Sequence, residues 1–270
     1  MKPYLESLIK DSGDPLHRRN LIREYLQARL LEILQKHGAM RCLAFQGGTS
    51  LRFLFSLPRF SEDLDFALEQ NRQDYDLRKY LEKMRQAFTA ENYQVEIVYN
   101  DQKTVHSASV RFYGLLFEMG LSPHKQEALS VKLEIDTRPP VGARLETTIV
   151  RRHVLLQVLH YDKASLLAGK IHALLARRYT KGRDLYDLLW YLSDPAWPPP
   201  NLVFLNNALL QTGWQGGSVQ QENWKHVVWA KLESVDFAQL VNDVIPFIED
   251  RRELDLLNSA TFKKILTGGL

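Results

Sequence analysis

Residues 46–68, QGGTSLRFLFSLPRFSEDLDFAL, constrain the fold more than any other stretch of this chain. Gly47 and Gly48 release the backbone from the steric limits of L-residues. Thr49 to Leu57 is long enough for a short helix with Leu51, Leu54 and Phe55 on one side, and Pro58 ends it because its ring cannot continue the ladder. Asp63 to Leu68 then alternates polar with apolar residues, the period-two pattern of a half-buried strand. With a short strand over 41–45 ahead of the glycines, the segment reads as strand, turn, helix, strand.

The rest of the chain must fit around that unit. Asp14-Pro15 is an N-cap followed by proline in the first turn; Ile22, Leu26, Leu30, Ile33 and Leu34 form one helical stripe, which Gly38 stops. A helix over 74–89 and strands over 94–99, 104–117, 129–136 and 146–150 follow. Strands with one early crossover helix imply a mixed sheet and not a regular βαβ array. From about Tyr161 the pattern changes to helical: DKASLLAGKIHALLARR, then RDLYDLLWYL, then amphipathic segments after the proline-rich DPAWPPP. The expected architecture is α+β, with a mixed α/β domain over 1–155 and a helical domain over 156–270.

Residues two apart on a strand share a face, so Asp63 and Asp65 present neighbouring carboxylates while Leu64 and Phe66 point the other way. Such a pair repels unless a cation sits between them, and Mg²⁺ is the usual hard, oxygen-seeking choice. The strand LSVKLEID repeats the device, with Lys132, Glu134 and Asp136 on one face. A solvated sheet face explains either stretch alone; the two together are enough for one or two metal ions if the strands share a sheet. Gly47 and Gly48 let the backbone approach a phosphate, and Thr49 and Ser50 open a helix whose first N–H groups bind anions and whose hydroxyls can reach a phosphate oxygen. The P-loop signature is absent from the sequence.

GGTSLRFLFSLPRFSEDLDF resembles the nucleotidyltransferase fold of DNA polymerase β and the CCA-adding enzymes, and more narrowly the AbiEii/AbiGii toxin family. KIHALLARRYTKGRDLYDL is similar to that family's second motif, and the resemblance covers roughly residues 40–195. It implies nucleotidyl transfer from an NTP, with Mg²⁺ held by Asp63, Asp65 and a third carboxylate. Glu134, placed with the metal ligands, and Asp136 both have the right face to be that third carboxylate, and either can act as general base. Gly47, Gly48, Thr49 and Ser50 would hold the triphosphate with Lys132, Lys170 and Arg183, and Lys170 and Asp184 join the expected catalytic set. The family acts on RNA, with tRNA the leading target, and is neutralised by an antitoxin. Two departures stand out: thirteen residues separate Thr49 from Asp63, and Thr49 replaces the commoner serine, which keeps the hydroxyl.

Other readings stay open. The acceptor can be a protein or a small molecule, or the chain can be a non-catalytic nucleotide-binding module. Lys163, Lys170 and Arg177, spaced by seven, fall along one helix side; a solvated face suits Lys163, and end-stabilisation suits Arg177 and Arg178. Asp184 and Asp187 have N-cap and N3 spacing. The five tryptophans and Cys42 read as packing residues. A net charge of +3, from 35 Lys and Arg against 32 Asp and Glu, does not by itself indicate nucleic-acid binding. A single cysteine excludes an internal disulfide and a cysteine-based zinc site. The opening MKPYLESLIKDSGD has no apolar core of a signal peptide and no stretch is apolar enough to span a membrane, so a cytoplasmic protein is expected.

Overall fold

The computed structural model describes residues 2–268. The chain divides into two compact units. Unit 1 comprises Met1–Ser56, Phe60–Pro139 and Thr147–His160; unit 2 comprises Leu57–Arg59, Pro140–Glu146 and Tyr161–Leu270. The 155/156 boundary of the sequence reading falls inside a strand, Val154–Tyr161, that the reading did not identify.

Unit 1 is built on a seven-stranded mixed sheet. Its strands are β1 (Leu43–Gln46), β2 (Asp63–Leu68), β3 (Gln94–Asn100), β4 (Val105–Tyr113), β5 (Ala128–Asp136), β6 (Leu145–Arg152) and β7 (Val154–Tyr161), in the order β3-β4-β5-β2-β1-β7-β6. The β2–β5 and β1–β7 pairs are parallel; β1–β2, β3–β4 and β4–β5 are antiparallel. The strand expected over 104–117 stops at Tyr113. Gly114 takes a left-handed φ of 71°, and the chain turns into a short helix whose Leu115 and Leu116 are buried.

Helices α1 (Lys2–Ile9), α2 (Pro15–Lys36), α3 (Gly47–Phe55), α4 (Leu77–Ala90) and α5 (Leu115–Glu118) complete the unit. Asp14 caps α2 through Leu16 N–H, and the Ile22/Leu26/Leu30/Leu34 stripe is buried with Leu64, Phe66, Val131 and Leu133 in one core. That core takes every second residue of β2 and β5, which leaves the alternate residues on the opposite face of the sheet. Helix α4 starts three residues later than expected because Asp76, not Asp74, caps it.

Unit 2 is helical: α6 (Lys163–Ala176), α7 (Gly182–Leu192), α8 (Leu202–Gln211), α9 (Trp224–Leu232), α10 (Phe237–Val244) and α11 (Ser259–Thr267). Its interior holds Leu167, Ile171, Leu188, Leu205, Val228 and Phe262, and Trp224 and Trp229 are buried there as packing residues. Among the described residues no helix is long and apolar enough to cross a membrane.

Candidate active site

The site in unit 1 begins at the turn from β1 into α3. The glycines lie inside the helix, which opens at Gly47 two residues before the expected start. Gly47 has φ of 77°, and a Cβ added there would stand 2.2 Å from Asp65 Oδ2. The glycine is therefore required twice, once by the left-handed backbone and once by the carboxylate seated against it. Thr49 and Ser50 are buried, and their hydroxyls tie the turn together: Thr49 donates to the Asp63 carbonyl and Ser50 to the Gly47 carbonyl at 2.8 Å. This corrects the expectation that those protons point to a ligand. What remains for an anion is the first turn of α3, whose N–H groups have no intrahelical acceptor.

Helix α3 is locked from its other side. Arg52, buried, pairs with buried Glu24 of α2, which also takes Arg152 at 3.0 Å and lies 3.1 Å from His153 Nε2. Burial pushes the Glu24 carboxyl up, but the His153 hydrogen bond and the charges of Arg52 and Arg152 outweigh it and lower its pKa to about 2. Arg52 also lies over the Phe60 ring, 4.0 Å from its centroid. The buried residues of α3 run from Gly48 to Phe53, and of the expected apolar side Leu51 is buried while Leu54 and Phe55 are only half-buried. Arg52, whose partner Glu24 lies 28 residues away in the chain, was not singled out from the sequence.

Strand register decides which carboxylates meet. In the parallel β2–β5 pair Asp63 is opposite Lys132, Asp65 opposite Glu134, and Ala67 opposite Asp136. Asp63, Asp65, Lys132 and Glu134 thus form one patch on the face away from the core, each at least partly exposed. Asp136 shares that face one pair further along, where its Oδ1 accepts the Arg138 N–H at 2.9 Å. Lys132 Nζ lies 2.6 Å from Glu134 Oε1. Its pKa is raised first by that hydrogen bond and further by the charges of Glu134, Asp63 and Asp65.

These oxygen donors have the chemistry a hard cation requires. Among the described residues, however, no three His, Cys, Asp or Glu side chains are drawn together as a metal-holding group. The Glu134 carboxylate is turned to Lys132.

The second set of sequence candidates lies in unit 2, and there the basic stripe does not form an open face. Lys163 Nζ stands 4.3 Å above the Trp197 ring. Lys170 Nζ is held by Asp187 at 2.6 Å and Asp184 at 3.3 Å, and Asp184 also takes Arg177. Asp187, fully buried, forms a two-pronged pair with Arg59, both contacts 2.6 Å. Burial raises the Asp187 carboxyl, but the charges of Arg59 and Lys170 prevail and lower its pKa. Burial likewise disfavours the Lys170 ammonium, yet Asp187 and Asp184 raise its pKa. Arg183 lies over the Phe247 ring at 4.4 Å. Helix α7 is capped at Lys181, so Asp184 is its third residue and not the N-cap its spacing with Asp187 suggested. Arg59, isolated between Pro58 and Phe60, was missed because a single arginine in a loop carries no pattern.

A model of the family described as nucleotidyl transferase AbiEii toxin, Type IV TA (toxin–antitoxin) system, matches residues 29–264. Among solved structures, the chain is similar to MenT4, a nucleotidyltransferase toxin from Mycobacterium tuberculosis H37Rv, with a TM-score of 0.56 and 17% identity over 100% of this chain and 90% of that one. It is also similar to a protein from H. pylori assigned as a nucleotidyltransferase, with a TM-score of 0.52 and 19% identity over 89% of this chain and 93% of that one. No curated protein matches. At such identities the structural likeness speaks for the fold, a nucleotidyltransferase-like sheet with flanking helices; the family match, which runs through both units, carries the assignment. The chain belongs to the AbiEii family of nucleotidyltransferase toxins of type IV toxin–antitoxin systems.

Proposed function

We propose that the protein transfers a nucleotide from an NTP to RNA, with tRNA the leading acceptor, in a reaction that depends on Mg²⁺. The observation that carries this reading is the seating of Asp65 against Gly47, with Glu134 beside it in register. It sets a helix start, which could bind an anion, beside the carboxylates of β2 and β5. The first turn of α3, with Gly47 and Gly48, would receive the triphosphate, and Thr49 and Ser50 would hold that turn in shape. Lys132 would add a cation to the phosphates once Glu134 releases it. Asp63, Asp65 and Glu134 would hold Mg²⁺, which neutralises developing phosphate charge when bound. Glu134 is preferred over Asp136 as third ligand because register sets it beside Asp65, whereas Asp136 faces Ala67.

In the transfer, the acceptor hydroxyl oxygen bonds to the α-phosphorus, the bond from that phosphorus to the β-phosphate oxygen breaks, and pyrophosphate leaves. The hydroxyl proton passes to a carboxylate of the same face, Glu134 or Asp136. Lys170 and Asp184 are assigned positioning roles, since the lysine's charge is already matched by two carboxylates; Arg183, which lies over the Phe247 ring, keeps its assignment as a contact to nucleotide or RNA. Family membership brings an antitoxin as partner.

The test is incubation of the purified protein with total tRNA, Mg²⁺ and each labelled NTP in turn, with Asp65→Ala as control. Label entering RNA with the wild type alone supports the reading and names the nucleotide. Mg²⁺-dependent NTP binding without labelled RNA would move the acceptor to a protein or small molecule.

A further inference from the structure

The patch of Asp63 and Lys132 continues into a groove of about 710 Å³, lined also by Ser107 and Ser109 of β4 and by Arg19 and Arg23 of α2. Register places Ser107 beside Glu134 and Ser109 beside Lys132, so both serines share the carboxylate face. Across the sheet the sequence of features is therefore fixed: the start of α3 at β1, carboxylates on β2 and β5, then the groove toward β4 and β3. An in-line displacement at phosphorus needs the attacking and leaving oxygens on opposite sides. With the triphosphate on α3, the leaving group departs on the β1 side and the attacking hydroxyl must arrive from the groove.

The lining suits that visitor. Serine hydroxyls both donate and accept and can pair with sugar and base edges, while guanidinium groups match phosphate oxygens in a fork. Arg19 is steadied by Glu127 at 2.5 Å and Arg23 lies 3.6 Å from Glu62. The volume falls in the range of sites that take a nucleotide-sized ligand. We infer that this groove receives the terminal nucleotide of the RNA acceptor, and that Ser107, Ser109, Arg19 and Arg23 select it. The inference rests on the RNA-transferase reading above and adds where the acceptor lies.

The experiment uses the full chain, one labelled NTP, Mg²⁺ and total tRNA, with KM measured separately for NTP and RNA. Val98, which also lines the groove, is opposite Ser109 on β3 and 46% exposed, so a charge there need not disturb the fold. Val98→Glu should raise the KM for RNA, and Val98→Lys should lower it, each by roughly threefold to tenfold, with the KM for NTP unmoved. Ser109→Trp, which fills the groove, should raise the KM for RNA by about tenfold or more at an unchanged KM for NTP. RNA labelling whose KM ignores the sign of the charge at position 98, or variants that shift the KM for NTP instead, would overturn the groove assignment and leave the transferase standing. A wild type that binds NTP with Mg²⁺ but labels no RNA would overturn the RNA reading, and the groove assignment with it.

Discussion

The two units treat the same residue type in opposite ways. In unit 1, Asp63, Asp65 and Glu134 sit partly exposed around Lys132, whose pKa all three raise. In unit 2, Asp184 and Asp187 are buried and matched by Arg59, Lys170 and Arg177. Exposed like charges cost little to hold apart in water but gain strongly from an added cation. Buried charges must bring their counter-charges with them, because leaving one unpaired costs several kcal/mol. The first arrangement keeps its charges at the surface; the second carries its counter-charges inside.

Substitutions should separate the two. Asp65→Ala should lower transfer by about 10³-fold or more, near 4 kcal/mol of transition-state stabilisation, while unfolding stability changes by no more than about 1 kcal/mol; labelled-NTP transfer and urea melts check both halves. Asp187→Ala should do the reverse, costing about 3–5 kcal/mol of stability by stranding Arg59 and Lys170. A stable Asp187→Ala protein without activity would break the comparison and return Lys170 to the chemistry.

Glu24 sharpens it from within unit 1. Its folded pKa of about 2 lies below the ordinary value of 4.5 for a glutamate carboxyl, so its contribution, on the order of 3 kcal/mol, is full above about pH 4.5. It is lost as pH falls toward 2, since the unfolded chain takes up the proton first. Glu24→Gln should flatten that stretch of the acid-unfolding curve. Gly47→Ala should cost about 1–3 kcal/mol through its left-handed backbone and should reduce transfer as well, because the methyl displaces Asp65; equal melts and rates for the two proteins would count against that seating. The smallest effect is Lys132→Met: its pair with Glu134 is exposed enough that stability should move by less than about 1 kcal/mol, whereas the KM for NTP should rise.

Much of unit 1 was legible in the chain itself. Asp63–Leu68 is the strand that alternation marked out, Asp14-Pro15 opens α2, and the strand-turn-helix-strand order holds because glycine, proline and apolar period act over a few residues. What escaped were long-range partners. β7 was missed because its run VLLQVLHY alternates poorly, being buried along most of its second half. Arg52 and Arg59 gave no pattern because their acids, Glu24 and Asp187, lie 28 and 128 residues away.

The sequence by itself determined the α+β order, the family, the turn glycines and the two acidic strands, all of which rest on spacing along one segment. Only the tertiary structure decided that β2 and β5 pair in the register that sets Glu134 beside Asp65, and that Thr49 and Ser50 spend their protons on the turn. It also decided that Lys170 lies between two buried aspartates. Pairing register and burial depend on which distant segments share a core, and local chemistry does not encode that choice.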